Sequence, residues 1–430
     1  MKILHVVHAY WPAIGGSEFL MQQVSEYLAN EVKEDVTVFT TFAYNTALFN
    51  DPNAPGIPAD KEEETLNNVK IKRFPVRNRW GRHLYFLQYI FYRLRLWGNG
   101  IMRMLYYGPI SPEMKMAIKE SNADIIAAGP FPLNHTNYVF KNRGKKPVVL
   151  IGCIHTADKH GFSNRRIIKN IKKAAGYIAL TQHEKDYLVQ RWGIDAKKIR
   201  VIGVGLDIEK KSAPEGPDQH NIRLELGIAK KDPVIAFIGQ HGLHKGIETL
   251  LLAMPIIWRS FPKVRLIIAG GTSSFSALFK DMSEFVDEHI STGAKKKRGA
   301  KTPGKRIFFL NNIDAALKDE ILANCDIFTT PSGFESFGIT ILEAWKHKRP
   351  VVACRIPATM SLIKEYETGL LVDYKNPLEL AQALKELIID PKLGKRLGEN
   401  GWDKLVKRYS RQIVGKHYYE FYREVLGCED

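Results

Sequence analysis

Cysteine is scarce in this 430-residue chain: Cys153, Cys325, Cys354 and Cys428 lie far apart and form no C-x-x-C pair. That spacing argues against a zinc site or a disulfide framework and favours a reducing compartment. Long apolar runs are also missing, and none approaches the roughly 18 residues that a helix needs to span a bilayer. The opening stretch Met1–His8 is apolar but too short for a signal segment. It leads into a glycine-containing turn with no cleavage-type site, so it reads as a first buried strand. No D-x-D pair occurs anywhere, and a divalent cation clamping a diphosphate would want such carboxylates. Acidic residues are outnumbered, 46 against 63 Lys and Arg, leaving a formal net charge of +17. This favours an anionic partner, whether nucleic acid, an anionic membrane face or a phosphorylated substrate, without choosing among them.

What is present is ordinary globular material, 45% hydrophobic and 25% charged, in a chain long enough for two domains of about 200 residues each. Short apolar runs alternate with helical patterns from end to end, the signature of parallel α/β architecture. Strands are expected at Ile3–His8, Val36–Thr40, Asp124–Ala128, Pro147–Ile151, Tyr177–Leu180 and Arg200–Ile202. After a polar, turn-rich stretch the alternation restarts, with strands at Val234–Ile238, Val264–Ala269, Ile307–Leu310, Ile327–Thr329 and Val351–Ala353. The expected fold is two Rossmann-like, doubly wound parallel sheets facing across a cleft. Residues 1–208 form the first domain, 209–222 the linker and 223–410 the second domain, with a helix in 411–430 packing back on the first domain or across both. A basic run, Ala294–Lys301, reads as a solvated insertion.

The strongest local signal is Pro331-Ser332-Gly333-Phe334-Glu335-Ser336-Phe337-Gly338-Ile339-Thr340-Ile341-Leu342-Glu343-Ala344. It predicts a strand end, a turn and a helix starting near Phe337, with Glu343 about two turns inside. Free amides around Gly338, Ile339 and Thr340 would suit a diphosphate. Glu343 would then accept ribose hydroxyls and Glu335 would reach the sugar beyond the phosphates. By spacing alone, Glu335 is equally a helix N-terminal charge and Glu343 a surface residue. Further on the list of candidates is Lys245, at the start of a helix after Phe237-Ile238-Gly239-Gln240, which would neutralise a phosphate or simply be a solvated loop lysine. Gly15 and Gly16, after the first strand, let a backbone approach a ligand closely, though a glycine pair is more often just a turn. His155, in Gly152-Cys153-Ile154-His155-Thr156, follows a strand, where a lone histidine is usually structural.

These segments resemble the retaining family 4 glycosyltransferases of the GT-B fold. The 331–344 segment resembles their E-x7-E signature, and Arg349-Pro350-Val351-Val352-Ala353 and Thr368-Gly369-Leu370-Leu371-Val372 resemble the text that follows it. Pro12-Ala13-Ile14-Gly15-Gly16-Ser17-Glu18 resembles the P-x-x-G-G-x-E loop that closes over donor phosphates and sugar. The resemblance implies that Glu343 holds the nucleotide ribose, that Glu335 and His155 contact the donor sugar, and that Lys245 stabilises the departing diphosphate. Phe337, Gly338, Ile339 and Thr340 complete the donor site. Gln240 stands where the family's G-R-L-x-x-x-K-G pattern has an arginine, so it offers a hydrogen bond but no charge. Val204 replaces the asparagine of a V-I-x-N-G-V-D segment, so only the backbone turn carries over. The implied reaction is transfer of a sugar from a UDP- or GDP-linked donor to a hydroxyl, with retention, by front-face attack. No metal is expected and no cofactor beyond the donor.

The acceptor would be a sugar or lipid-linked molecule. Residues 77–107 intersperse Arg77, Arg79, Arg82, Arg93, Arg95 and Arg103 with nine aromatic residues. Such a stretch suits an anionic membrane interface, or else a core-packed helix with a charged outer face. A cytoplasmic protein, peripheral on the inner membrane face, is the corresponding expectation. Nucleic acid is not an expected partner, because no RNA- or DNA-binding signature accompanies the charge. Rival readings are a sugar-nucleotide epimerase or phosphorylase on the same fold, or a non-catalytic basic binding protein.

Overall fold

A computed structural model of the chain describes residues 1–13, 15–77, 81–94, 96–154, 165–209, 221–240, 242–271 and 305–428. His155, most of the 209–222 linker and the basic run 294–301 lie outside them. The chain divides into two compact units, Met1–Asp207 with Tyr409–Asp430, and Ile208–Arg408.

The first unit is built on β1 (Lys2–Val6), β2 (Asp35–Thr41), β3 (Glu63–Leu66), β4 (Val69–Phe74), β5 (Ile125–Ala128), β6 (Val148–Ile151), β7 (Gly176–Ala179) and β8 (Ile199–Val201). Their order is β3-β4-β2-β1-β5-β6-β7-β8. β5, β6 and β7 are buried at every residue. Continuous apolar runs are what a strand covered on both faces requires. The edge differs: β3 runs antiparallel to β4, so this sheet is not wholly parallel. Sequence patterning missed both strands, because Lys70 and Lys72 break the apolar run. The structure turns those lysines outward onto Asp35 and Glu63, at 2.8 and 2.5 Å.

The helix Arg411–Leu426 belongs to this unit and packs on the helix Gly16–Asn30. At Gly415 a Cβ would stand 2.2 Å from the Tyr27 ring, so only glycine permits this approach. Tyr422 donates to His5 Nε2 at 3.2 Å, and His5 Nδ1 donates to Ser25 Oγ at 2.7 Å. The Ser25 proton is committed to the Met21 carbonyl at 2.6 Å, which fixes that neutral imidazole tautomer.

The second unit contains β9 (Val234–Ile238), β10 (Arg265–Gly270), β11 (Ile307–Asn311), β12 (Ile327–Thr330), β13 (Val351–Cys354) and β14 (Leu370–Val372). All are parallel, in the order β11-β10-β9-β12-β13-β14. Its core joins strand residues such as Phe237, Leu266 and Val352 to Leu250, Met254 and Leu384 of the covering helices. The chain leaves β9 toward β10 on one side and returns to β12 on the other. The strand order therefore reverses between β9 and β12, where open α/β sheets leave a crevice beyond their carboxyl ends.

Candidate active site

The loops following β9 and β12 meet at that switch point. After Ile238 the chain passes Gly239 and the exposed Gln240, makes a short turn at Leu243–Lys245, and enters the helix Ile247–Ser260. Gly246 caps that helix with φ +71°, and a Cβ there would lie 2.0 Å from the Pro331 carbonyl oxygen. The loops are also joined directly, Gly333 N–H donating to the His244 carbonyl at 2.9 Å. This clasp sets Lys245 Nζ 2.6 Å from Glu335 Oε1, both side chains less than a fifth exposed. An ammonium has three donors, so Lys245 can hold Glu335 and still present N–H groups to an anion. Burial, then the neighbouring Lys245 charge, lowers the His244 pKa, which favours the neutral ring beside the ammonium.

The helix carrying Glu343 spans Ile339–Lys346. It starts two residues later than the sequence suggests and places Glu343 about one turn inside, not two. The cause is Gly338: at φ +107° it is a left-handed cap and not a helical residue. Phe337, just before it, is buried and anchors the turn. The amides of Ile339 and Thr340 have no acceptor within the helix, as first-turn amides cannot. Glu343 is nearly buried and is paired with Lys318, on the helix Ala315–Asn324. The two glutamates thus engage separate lysines. Lys318 escaped the sequence reading because nothing in its local spacing marks it; the contact arises only when two crossover helices pack side by side.

Gly15 and Gly16 stand where β1 gives way to the helix Gly16–Asn30. A Cβ on Gly15 would lie 2.2 Å from Glu18 Oε2. That carboxylate is buried, accepts from Ser17 Oγ at 2.9 Å and pairs with His8 Nε2 at 2.9 Å. Burial alone would raise the Glu18 pKa, but His8 outweighs it and the carboxyl ends below its usual value. His8 stacks on His135, ring centroids 6.1 Å apart. His135 donates Nε2–H to the Gly129 carbonyl at 2.9 Å, and burial brings its pKa down to about 3. His8 and His135 escape the sequence reading, and Glu18 enters it only as the last residue of the P-x-x-G-G-x-E resemblance; His8 and Glu18 flank the glycine pair, a signal that was available.

The stretch leading toward His155 is shaped by Glu184, also missed. Its buried carboxylate accepts from Ile154 N–H at 3.1 Å, Leu180 N–H at 2.8 Å and Tyr177 Oη–H at 2.7 Å. Burial raises its pKa. Val204 is buried, and Gly205 after it lies against Val414, so the 201–207 segment serves as a packed backbone turn.

Comparison with known proteins adds to this geometry. The model of the glycosyl transferases group 1 matches residues 218–404, and that of Glycosyltransferase Family 4 matches residues 14–210. The D-inositol 3-phosphate glycosyltransferase of Corynebacterium glutamicum is 32% identical over 252 residues, 58% of this chain and 57% of that protein. The alpha-maltose-1-phosphate synthase of Mycolicibacterium smegmatis is 26% identical over 264 residues, 59% of this chain and 64% of that protein. The chain thus spans somewhat more than half the length of the curated relatives it matches. Among solved structures, Anabaena HepE in complex with UDP and glucose superposes with a TM-score of 0.71 at 19% identity, over 99% of this chain and 100% of that one. The sucrose-phosphate synthase of Thermosynechococcus elongatus gives the same TM-score and identity over the whole of both chains. These neighbours share the fold, which is GT-B.

Proposed function

Because the chain belongs to the family 4, group 1 glycosyltransferases, we propose that it moves a sugar from a UDP- or GDP-linked donor onto a hydroxyl, with retention. The observation that carries this reading is the clasp of the β9 and β12 loops, which holds Lys245 against Glu335 beyond the strand ends. A cation fixed there neutralises charge that grows on the diphosphate as the glycosidic bond breaks. The first amides of the helix Ile339–Lys346 add the positive end of a helix dipole. Glu335, held by one N–H of Lys245, accepts from hydroxyls of the donor sugar through its remaining lone pairs. Glu343 accepts from the ribose, with Lys318 orienting it.

Gln240 leaves Lys245 as the principal side-chain charge on the leaving group, so no metal is required in this reading. In this reading front-face attack is assisted by the departing phosphate. Anabaena HepE is seen with UDP and glucose, and the Corynebacterium relative carries an inositol phosphate in its name. The acceptor proposed here is a sugar or a lipid-linked or cell-surface glycan precursor, met at the inner membrane face. The test is incubation with UDP- and GDP-sugars in the presence of EDTA, followed by NMR of the product's anomeric configuration. Retention without added metal supports the reading. An epimerised sugar formed without an acceptor would mark an epimerase, and dependence on free phosphate a phosphorylase.

A further inference from the structure

We infer that the helical hairpin of residues 81–107 is a docking surface for an anionic lipid bilayer. The helices Gly81–Arg93 and Asn99–Tyr107 pack on each other through Tyr85 and Tyr106, whose ring centroids are 5.7 Å apart. The first helix and the turn after it expose large apolar side chains. Of the 18 large hydrophobic residues exposed among the described residues, eight fall between Tyr85 and Trp97. Phe86 is 63% exposed and Trp97, at the turn joining the helices, 93%. Scattered exposed apolar residues need no explanation, but a contiguous cluster marks an interaction site.

Charge selects the occupant. Within residues 81–107 the chain has four arginines, Arg82, Arg93, Arg95 and Arg103, and not one acidic residue. Arg93 is exposed at the end of the first helix, and the Arg103 guanidinium lies over the Tyr92 ring at 5.6 Å. A two-fold contact with a second copy would set this cationic face against itself. A bilayer with anionic headgroups matches both features, taking aromatic and leucine side chains at the acyl boundary and arginines among the phosphates. Helices of 13 and 9 residues are too short to span a bilayer, which needs about 20. The hairpin therefore lies in the interface. This deepens the acceptor side of the proposed function and rests on it only for why a bilayer would matter.

The test is flotation of the full chain with vesicles of phosphatidylcholine alone or with 30% phosphatidylglycerol, for wild type and the double variant Phe86→Glu/Trp97→Glu. The wild type should bind the anionic vesicles at least tenfold more than the neutral ones and release in 0.5 M salt. The variant should lose at least tenfold of that binding while keeping its melting temperature and its acceptor-independent hydrolysis of the donor. Equal binding of wild type and variant, or none to either vesicle, overturns the inference. So does a substitution that instead abolishes self-association or oligonucleotide binding. Vesicle binding without any donor turnover would leave this inference standing while the enzymatic reading failed.

Discussion

Replacing Gly246 by alanine tests whether the clasp between the two loops sets the chemistry. The new Cβ would lie 2.0 Å from the Pro331 carbonyl oxygen, whereas real Cβ contacts do not fall below 3.0 Å. Backbone faces backbone here, so no side chain can swing away, and the loops must part by about 1 Å. A displacement of that size at a reacting centre costs roughly 10²-fold in turnover. The left-handed φ of +71° adds about 1 to 3 kcal/mol of strain. Gly227→Ala is the control: it shares the left-handed backbone, φ +65°, but its Cβ would meet nothing within 4 Å. The assay is donor turnover by coupled nucleotide release, at a temperature where circular dichroism shows both variants folded. Gly227→Ala should lose stability and keep its turnover, while Gly246→Ala should lose turnover by about two orders of magnitude. Turnover of folded Gly246→Ala within twofold of wild type would mean that the clasp does not set the chemistry.

Lys245→Ala and Glu335→Ala should each lower kcat by about 10²- to 10³-fold, as the loss of one electrostatic stabiliser does, with melting temperatures close to wild type; near-normal turnover in either would remove it from the proposed site. Glu343→Ala should raise the donor Kd about tenfold or more, since each hydrogen bond to a carboxylate contributes about 1.5–3 kcal/mol, and calorimetry reads this directly. Acid should destabilise the fold through His5 and His135, whose pKa values burial lowers from 6.5 to about 3. Between those values the unfolded chain binds protons that the folded chain refuses, so stability is complete above about 6.5 and falls as pH drops toward 3. At pH 5 the loss is roughly 2 kcal/mol per histidine. Urea melts should show it, and His5→Gln should flatten the slope.

Much of the fold is legible because strands buried on both faces must be continuously apolar, as Val148–Ile151 and Val234–Ile238 are. The edge pair β3 and β4 is hidden because its outward lysines are satisfied by Asp35 and Glu63, partners distant or unmarked in sequence. Within the site, Lys245 and Glu335 are local signals: Lys245 adjoins Gly246, which a tight backbone approach demands, and Glu335 lies two residues after Gly333. Their 2.6 Å contact joins residues 90 apart in sequence, and only the pairing of β9 with β12 explains it. Lys318 and Glu184 stay invisible for the same reason. Each acts on a group that the fold, not the sequence, brings alongside.

In the proposed site, Lys245 and the first amides of the helix Ile339–Lys346 grip a nucleoside diphosphate. Isothermal titration of UDP and GDP into wild type and Lys245→Ala, with EDTA present, measures that grip. One of the two nucleotides should bind wild type with one-to-one stoichiometry and bind Lys245→Ala at least tenfold more weakly. No binding of either to the wild type, or equal affinity in the variant, would mean that Lys245 holds no diphosphate.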